Sequence, residues 1–200
     1  PSGGMTDSAP VRWDEDCLTL NVSAPVSISN TSGSRPVLVW IHGGGYRTGQ
    51  GAIPWYNGTR FARDQDIVVV SINYRLGALG FADLTHLGDE FKTSNVNGML
   101  DQIAALQWVQ RNIEAFGGDP KRVTIAGESA GAFSVGALMG CSAAQGLFSQ
   151  AIAQSGAAHH TLPPAAAQTV GQTFCEHLGQ NNAVGAVSYT HLRAHETEEN

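Results

Sequence analysis

Hydrophobic positions change their rhythm along the chain, and each change marks an element. From Leu18 to Ser23 apolar and polar residues alternate, the period-two signature of a strand with one exposed face. Val37 to Ile41 and Ile67 to Ile72 are short, continuous and rich in β-branched residues, which predicts strands buried on both faces. Val123 to Ala126 and Ala151 to Ala153 are shorter runs of the same kind. Between them the spacing becomes three and four. Met99, Ile103, Leu106, Val109, Ile113 and Phe116 trace an amphipathic helix that Gly117 closes. Thr59 to Asp64 reads as a shorter helix, Ala132 to Met139 as another, and Asn30 to Pro36 as a polar hairpin or loop. Strand and helix in alternation predict an α/β fold: a mostly parallel sheet with flanking helices and right-handed crossovers.

Composition supports one globular unit. Hydrophobic residues make up 42% of 200 residues and charged ones 14%, enough to build a buried core. The net charge of -6 offers no basic footprint for nucleic acid. No apolar run is long enough to cross a bilayer. The chain opens at Pro1, not methionine, which implies an upstream part and leaves export unread. Of the three cysteines, none forms a Cys-x-x-Cys pair, so no metal site is expected; Cys141 and Cys175 read as small buried or half-buried side chains.

The chemistry concentrates at Gly127-Glu128-Ser129-Ala130-Gly131. A Gly-x-Ser-x-Gly pentapeptide is by itself a weak signal among 24 glycines. Here a turn (Gly117 to Pro120) and an apolar strand precede it, and a helical pattern follows. Strand, sharp turn and helix make a nucleophile elbow, with Ser129 at the apex as candidate nucleophile. The flanking glycines leave room for the neighbouring strand and helix. The helix directs its positive end at the reacting group. A second segment complements it: the strand Val37 to Ile41 runs into His42-Gly43-Gly44-Gly45-Tyr46. Ester hydrolysis passes through a negative tetrahedral oxygen, and a glycine loop lets backbone N–H groups approach it.

The run Phe116 to Gly131 resembles the active-site serine signature of the type-B carboxylesterase family, the cholinesterase-like and bacterial para-nitrobenzyl esterase-like branch of the α/β-hydrolases. The segments Glu15 to Val22, Asn73 to Phe81, Asn97 to Gln102 and Gly146 to Ala157 resemble further family blocks. The resemblance covers roughly residues 13 to 180 and implies a partial α/β-hydrolase fold. It implies a serine carboxylesterase acting on small-molecule carboxylic esters through an acyl-enzyme, without metal or organic cofactor. It places oxyanion donors at Gly44, Gly45 and Ala130. It also implies that many relatives pair the cysteine equivalent to Cys17 with an upstream one, which this chain lacks. Cys17 is then a buried free thiol or one without its partner.

Other residues invite roles that the pattern favours less. His42 shapes the loop, as the resemblance implies, and is not the base. Asp101 reads as a helix-start carboxylate bonding local backbone, and Glu128 as a buried, hydrogen-bonded support. His159 and His160 could line the acyl pocket, though solvated loop histidines are commoner. The triad acid and histidine lie far downstream in the family, so this chain alone is expected to be nearly inert. Residues 187–200 read as a non-native tail, the translation of a transposase-type sequencing adapter, which removes His191 and His195 from consideration and leaves 1–186 as part of a single domain. Two rival readings remain: a non-catalytic cholinesterase-like interaction domain, and a lipase or amidase of the same fold.

Overall fold

A computed structural model describes residues 14, 16–26 and 34–179. The adapter-like tail, with His191 and His195, lies outside the described residues, as does most of the hairpin or loop expected at Asn30 to Pro36. Five strands form one sheet: β1 (Leu20–Ser23), β2 (Arg35–Ile41), β3 (Val68–Ile72), β4 (Gly118–Glu128) and β5 (Gln150–Gln154). Their order is β1-β3-β2-β4-β5. All neighbours pair in parallel except β1, which runs antiparallel to β3. The described residues also form five α-helices: α1 (Thr59–Gln65), α2 (Gly77–Phe81), α3 (Asn97–Asn112) and α4 (Ala130–Gly140) between strands, and α5 (Pro164–His177) after β5.

The three- and four-residue spacing does form α3. It ends in a 3-10 turn at Ile113–Phe116, after which Gly117 takes a left-handed φ of 83°. The core joins Val37, Val39 and Ile41 of β2 to Leu106 and Val109 of α3 and to Val135 and Leu138 of α4. β3 is buried along its whole length, as its continuous apolar run predicts. β2 is not. Leu38 and Trp40, which share a face of the sheet, are half-buried; among the described residues Trp40 packs on Tyr56 of the Pro54–Tyr56 turn, and Leu38 shares a cavity lining with Phe61 of α1. A cavity of about 660 Å³ remains on that face at the amino ends of the strands, lined by Pro36, Leu38, Phe61, Ile67, Ala151 and Ile152.

Two elements depart from the pattern. β4 begins at Gly118, five residues before its apolar run, because Gly118 pairs with Arg35 across a register shift. The turn-forming residues Asp119 and Pro120 are thereby drawn into the strand. β5 is exposed throughout rather than buried, since among the described residues it lies at the sheet edge and pairs with β4 alone. α5 was not apparent from periodicity. Its signal is Pro164 at the first helical position followed by three alanines. Cys17 and Cys141 are half-buried and Cys175 is buried, all three as free thiols. Among the described residues no helix is long and apolar enough to cross a membrane.

Candidate active site

Register puts the two glycine-rich segments side by side. Ile41 of β2 pairs with Gly127 of β4, so the loop after β2 and the turn after β4 leave the sheet together. Ser129 sits between β4 and α4 at φ 55° and ψ -120°, a sparsely populated conformation for a residue with a side chain. Both sides of its backbone are held. Its N–H donates to the Gln154 carbonyl at 2.9 Å, and its carbonyl accepts from Phe133 N–H at 3.0 Å. The turn closes only because its glycines lack side chains. A Cβ on Gly127 would stand 2.5 Å from the Gly131 carbonyl carbon, and one on Gly131 would strike the Ile41 carbonyl oxygen. Ser129 Oγ makes no hydrogen bond to the described residues, which leaves the hydroxyl free.

The glycine loop lies against this elbow. A Cβ on Gly43 would be 2.7 Å from the Glu128 carbonyl oxygen and 3.3 Å from Ser129 Cβ. Gly44, Gly45 and Tyr46 take consecutive positive φ values of 111°, 62° and 59°. The Gly44 carbonyl is occupied, accepting from the N–H groups of Arg47 and Thr48 at 3.1 Å each. The N–H groups of Gly44, Gly45 and Ala130 donate to no backbone carbonyl among the described residues. Ala130 opens α4, where the first amides of a helix have no partner within it and carry its positive dipole end. Among the described residues the three donors expected from the sequence are therefore unspent, and Ala130 directly follows Ser129.

The neighbouring ionisable groups sort clearly. His42 is fully buried and stacked on Tyr74 at 4.4 Å. Its Nδ1 lies 2.8 Å from the Gly43 carbonyl, which can only accept, so Nδ1 carries a proton. Burial pushes its pKa below the ordinary value, opposed by that hydrogen bond. Nε2 is buried without a protein partner and does not reach Ser129. Asp101 is buried as well, but its partner is distant in sequence. It accepts Arg75 Nε at 2.8 Å, Nη2 at 2.8 Å and the Arg75 backbone N–H at 3.0 Å. It is thus a structural carboxylate that bonds Arg75 rather than the start of its own helix.

Glu128 corrects an expectation. It is exposed, not buried, and its carboxylate makes no hydrogen bond among the described residues. At the elbow its side chain turns toward the glycine loop, with Oε2 3.1 Å from where a Gly43 Cβ would be. Tyr56 faces the same place. Burial chiefly raises its phenol pKa, the Glu128 charge adds to the rise, and the Gly43 N–H opposes it. His159 and His160 are exposed, yet not simply solvated: His160 stacks on Phe133 at 3.9 Å and 10°, with His159 4.2 Å from it. Among the described residues there is no group of three or more His, Cys, Asp or Glu that could hold a metal.

A parallel sheet with a serine on a glycine-flanked turn, beside a glycine loop, defines the class as an α/β-hydrolase. A profile of the carboxylesterase family matches residues 2–199, and the chain belongs to that family. It is 46% identical over 170 residues to the para-nitrobenzyl esterase of Bacillus subtilis, covering 85% of this chain and 34% of that protein. It is 49% identical over 173 residues to the phenmedipham hydrolase of Pseudarthrobacter oxydans, covering 85% and 33%. Among solved structures, a para-nitrobenzyl esterase superposes with a TM-score of 0.81 at 46% identity, covering 88% of this chain and 35% of that one. A carboxylesterase of Geobacillus stearothermophilus gives 0.78 at 44% identity, covering 84% and 35%. The chain spans about a third of the length of the curated relatives it matches.

Proposed function

We propose that these residues form the nucleophile and oxyanion half of a serine carboxylesterase site acting on small-molecule carboxylic esters. The observation that carries this reading is Ser129: a strained apex residue with a free hydroxyl, flanked by three unspent N–H groups. Its Oγ attacks the ester carbonyl carbon as its proton passes to a base. The N–H groups of Gly44, Gly45 and Ala130 hold the oxygen that becomes negative. Collapse expels the alcohol and leaves an acyl-enzyme, which water then hydrolyses to the acid. A serine hydroxyl is a poor nucleophile at neutral pH without a positioned base. No histidine among the described residues bonds Ser129, so the base comes from outside them. The intact serine and glycine loop tell against a non-catalytic interaction domain.

The test is covalent labelling with a fluorophosphonate and turnover of a p-nitrophenyl ester. The product of the complete reading frame is expected to label and turn over, and Ser129→Ala to abolish both. The 200-residue chain alone is expected to show no Ser129-dependent turnover. Labelling that survives Ser129→Ala would reject the assignment.

A further inference from the structure

Beside the site runs a buried line of side-chain hydrogen bonds that the reaction itself does not use. Gln102 on α3 and Ser134 on α4 are both fully buried. Gln102 Nε2 donates to Ser134 Oγ at 3.1 Å, and Ser134 Oγ donates to the Tyr46 hydroxyl at 3.2 Å. Tyr46 directly follows Gly45, in the left-handed conformation at φ 59°. Its carbonyl accepts from Gly77 N–H at 2.7 Å, and its ring packs on Phe81 at 4.6 Å. The far end of the glycine loop is thus clamped by backbone and by side chain. The side-chain clamp ends on α4, the helix that Ser129 caps.

We infer that Gln102, Ser134 and Tyr46 form a positioning relay that sets the oxyanion loop at its working distance from the nucleophile. This rests on the esterase reading above. The physical reason is that loop and elbow belong to different strands, and their separation must be kept to a fraction of an ångström for the donors to meet the developing charge. A left-handed tyrosine is strained, so the loop needs an outside hold to stay there. Two hydrogen bonds in series, one buried and one part-buried, supply that hold, and each polarises the next. Tyr46 and Ser134 are positioning residues; neither touches the reacting atoms.

The experiment uses the product of the complete reading frame. Tyr46→Phe removes one hydroxyl and Ser134→Ala removes the donor to it. Each is expected to lower kcat for a p-nitrophenyl ester on the order of tenfold, short of the roughly hundredfold that a 1 Å misplacement costs. KM is expected to stay unchanged. The double variant is expected to lose no more than the worse single one, because both break the same line. A second readout needs no activity. Burial raises the Tyr46 phenol pKa and the Ser134 hydrogen bond opposes the rise. Ser134→Ala therefore shifts the Tyr46 ultraviolet titration further upward, read as the difference from Tyr46→Phe. Ser129-dependent turnover that is unchanged in both single variants would overturn the relay alone, as would losses that multiply in the double variant or a titration that does not move. Wild-type protein that fails to label at Ser129 would overturn the relay together with the esterase reading.

Discussion

β4 and β5 are parallel neighbours in continuous register from Thr124 opposite Gln150 to Glu128 opposite Gln154. Yet they live in different environments. β4 has β2 on its other side and buries Val123, Ile125 and Ala126. Among the described residues β5 has no second neighbour, and all its residues are exposed. Strand pairing alone therefore does not make a core strand. Burial needs partners on both edges and on both faces, and among the described helices it is α4 that packs chiefly against β5. Its contribution at the site is local: the Gln154 carbonyl that holds Ser129 N–H.

Two isoleucines break or sharpen that contrast. Ile125 is completely buried, and Ile125→Ala is expected to cost roughly 4 kcal/mol in urea unfolding, through lost transfer energy and the cavity left behind. A loss near zero would mean that β4 is no more central than β5. The next effect is in pH. His42, where β2 enters the glycine loop, is neutral and its folded pKa lies below the ordinary 6.5. Below about pH 6.5 the unfolded chain takes up a proton that the folded chain refuses, so stability falls on acidification, by at most about 1.4 kcal/mol per pH unit for one group. His42→Gln is expected to flatten this part of a urea-midpoint profile; an unchanged profile would place the titration elsewhere. The smallest effect belongs to the edge. Ile152 is 45% exposed, so Ile152→Ala is expected to cost below about 1 kcal/mol. A loss as large as that of Ile125→Ala would show that the edge is covered in solution.

Much was legible where one segment carries its own instruction. Val68–Ile72 reads as a buried strand because every position is apolar or small, and α3 reads as a helix because its apolar spacing matches its own turn. The elbow is legible because its glycines answer to neighbours that the same short motif brings together. β5 was misjudged because the run Ala151 to Ala153 looks like any buried strand; only the absence of a second pairing partner among the described residues exposes it. Glu128 was misjudged for a related reason. Its neighbour Ser129 is strained inward, but nothing in the pentapeptide says that the preceding side chain faces an open loop.

By itself the sequence determined the alternation of strand and helix, the serine turn, the glycine loop and the family. These follow from residue types whose backbone preferences act within a few positions. Only the tertiary structure decided that His42 is sealed against Tyr74, that Asp101 answers Arg75, and that Gln102, Ser134 and Tyr46 meet. Those partners lie 26 to 88 residues apart along the chain. What brings them together is the order and register of β2, β3 and β4 and the packing of α3 and α4 upon them, which no local pattern encodes.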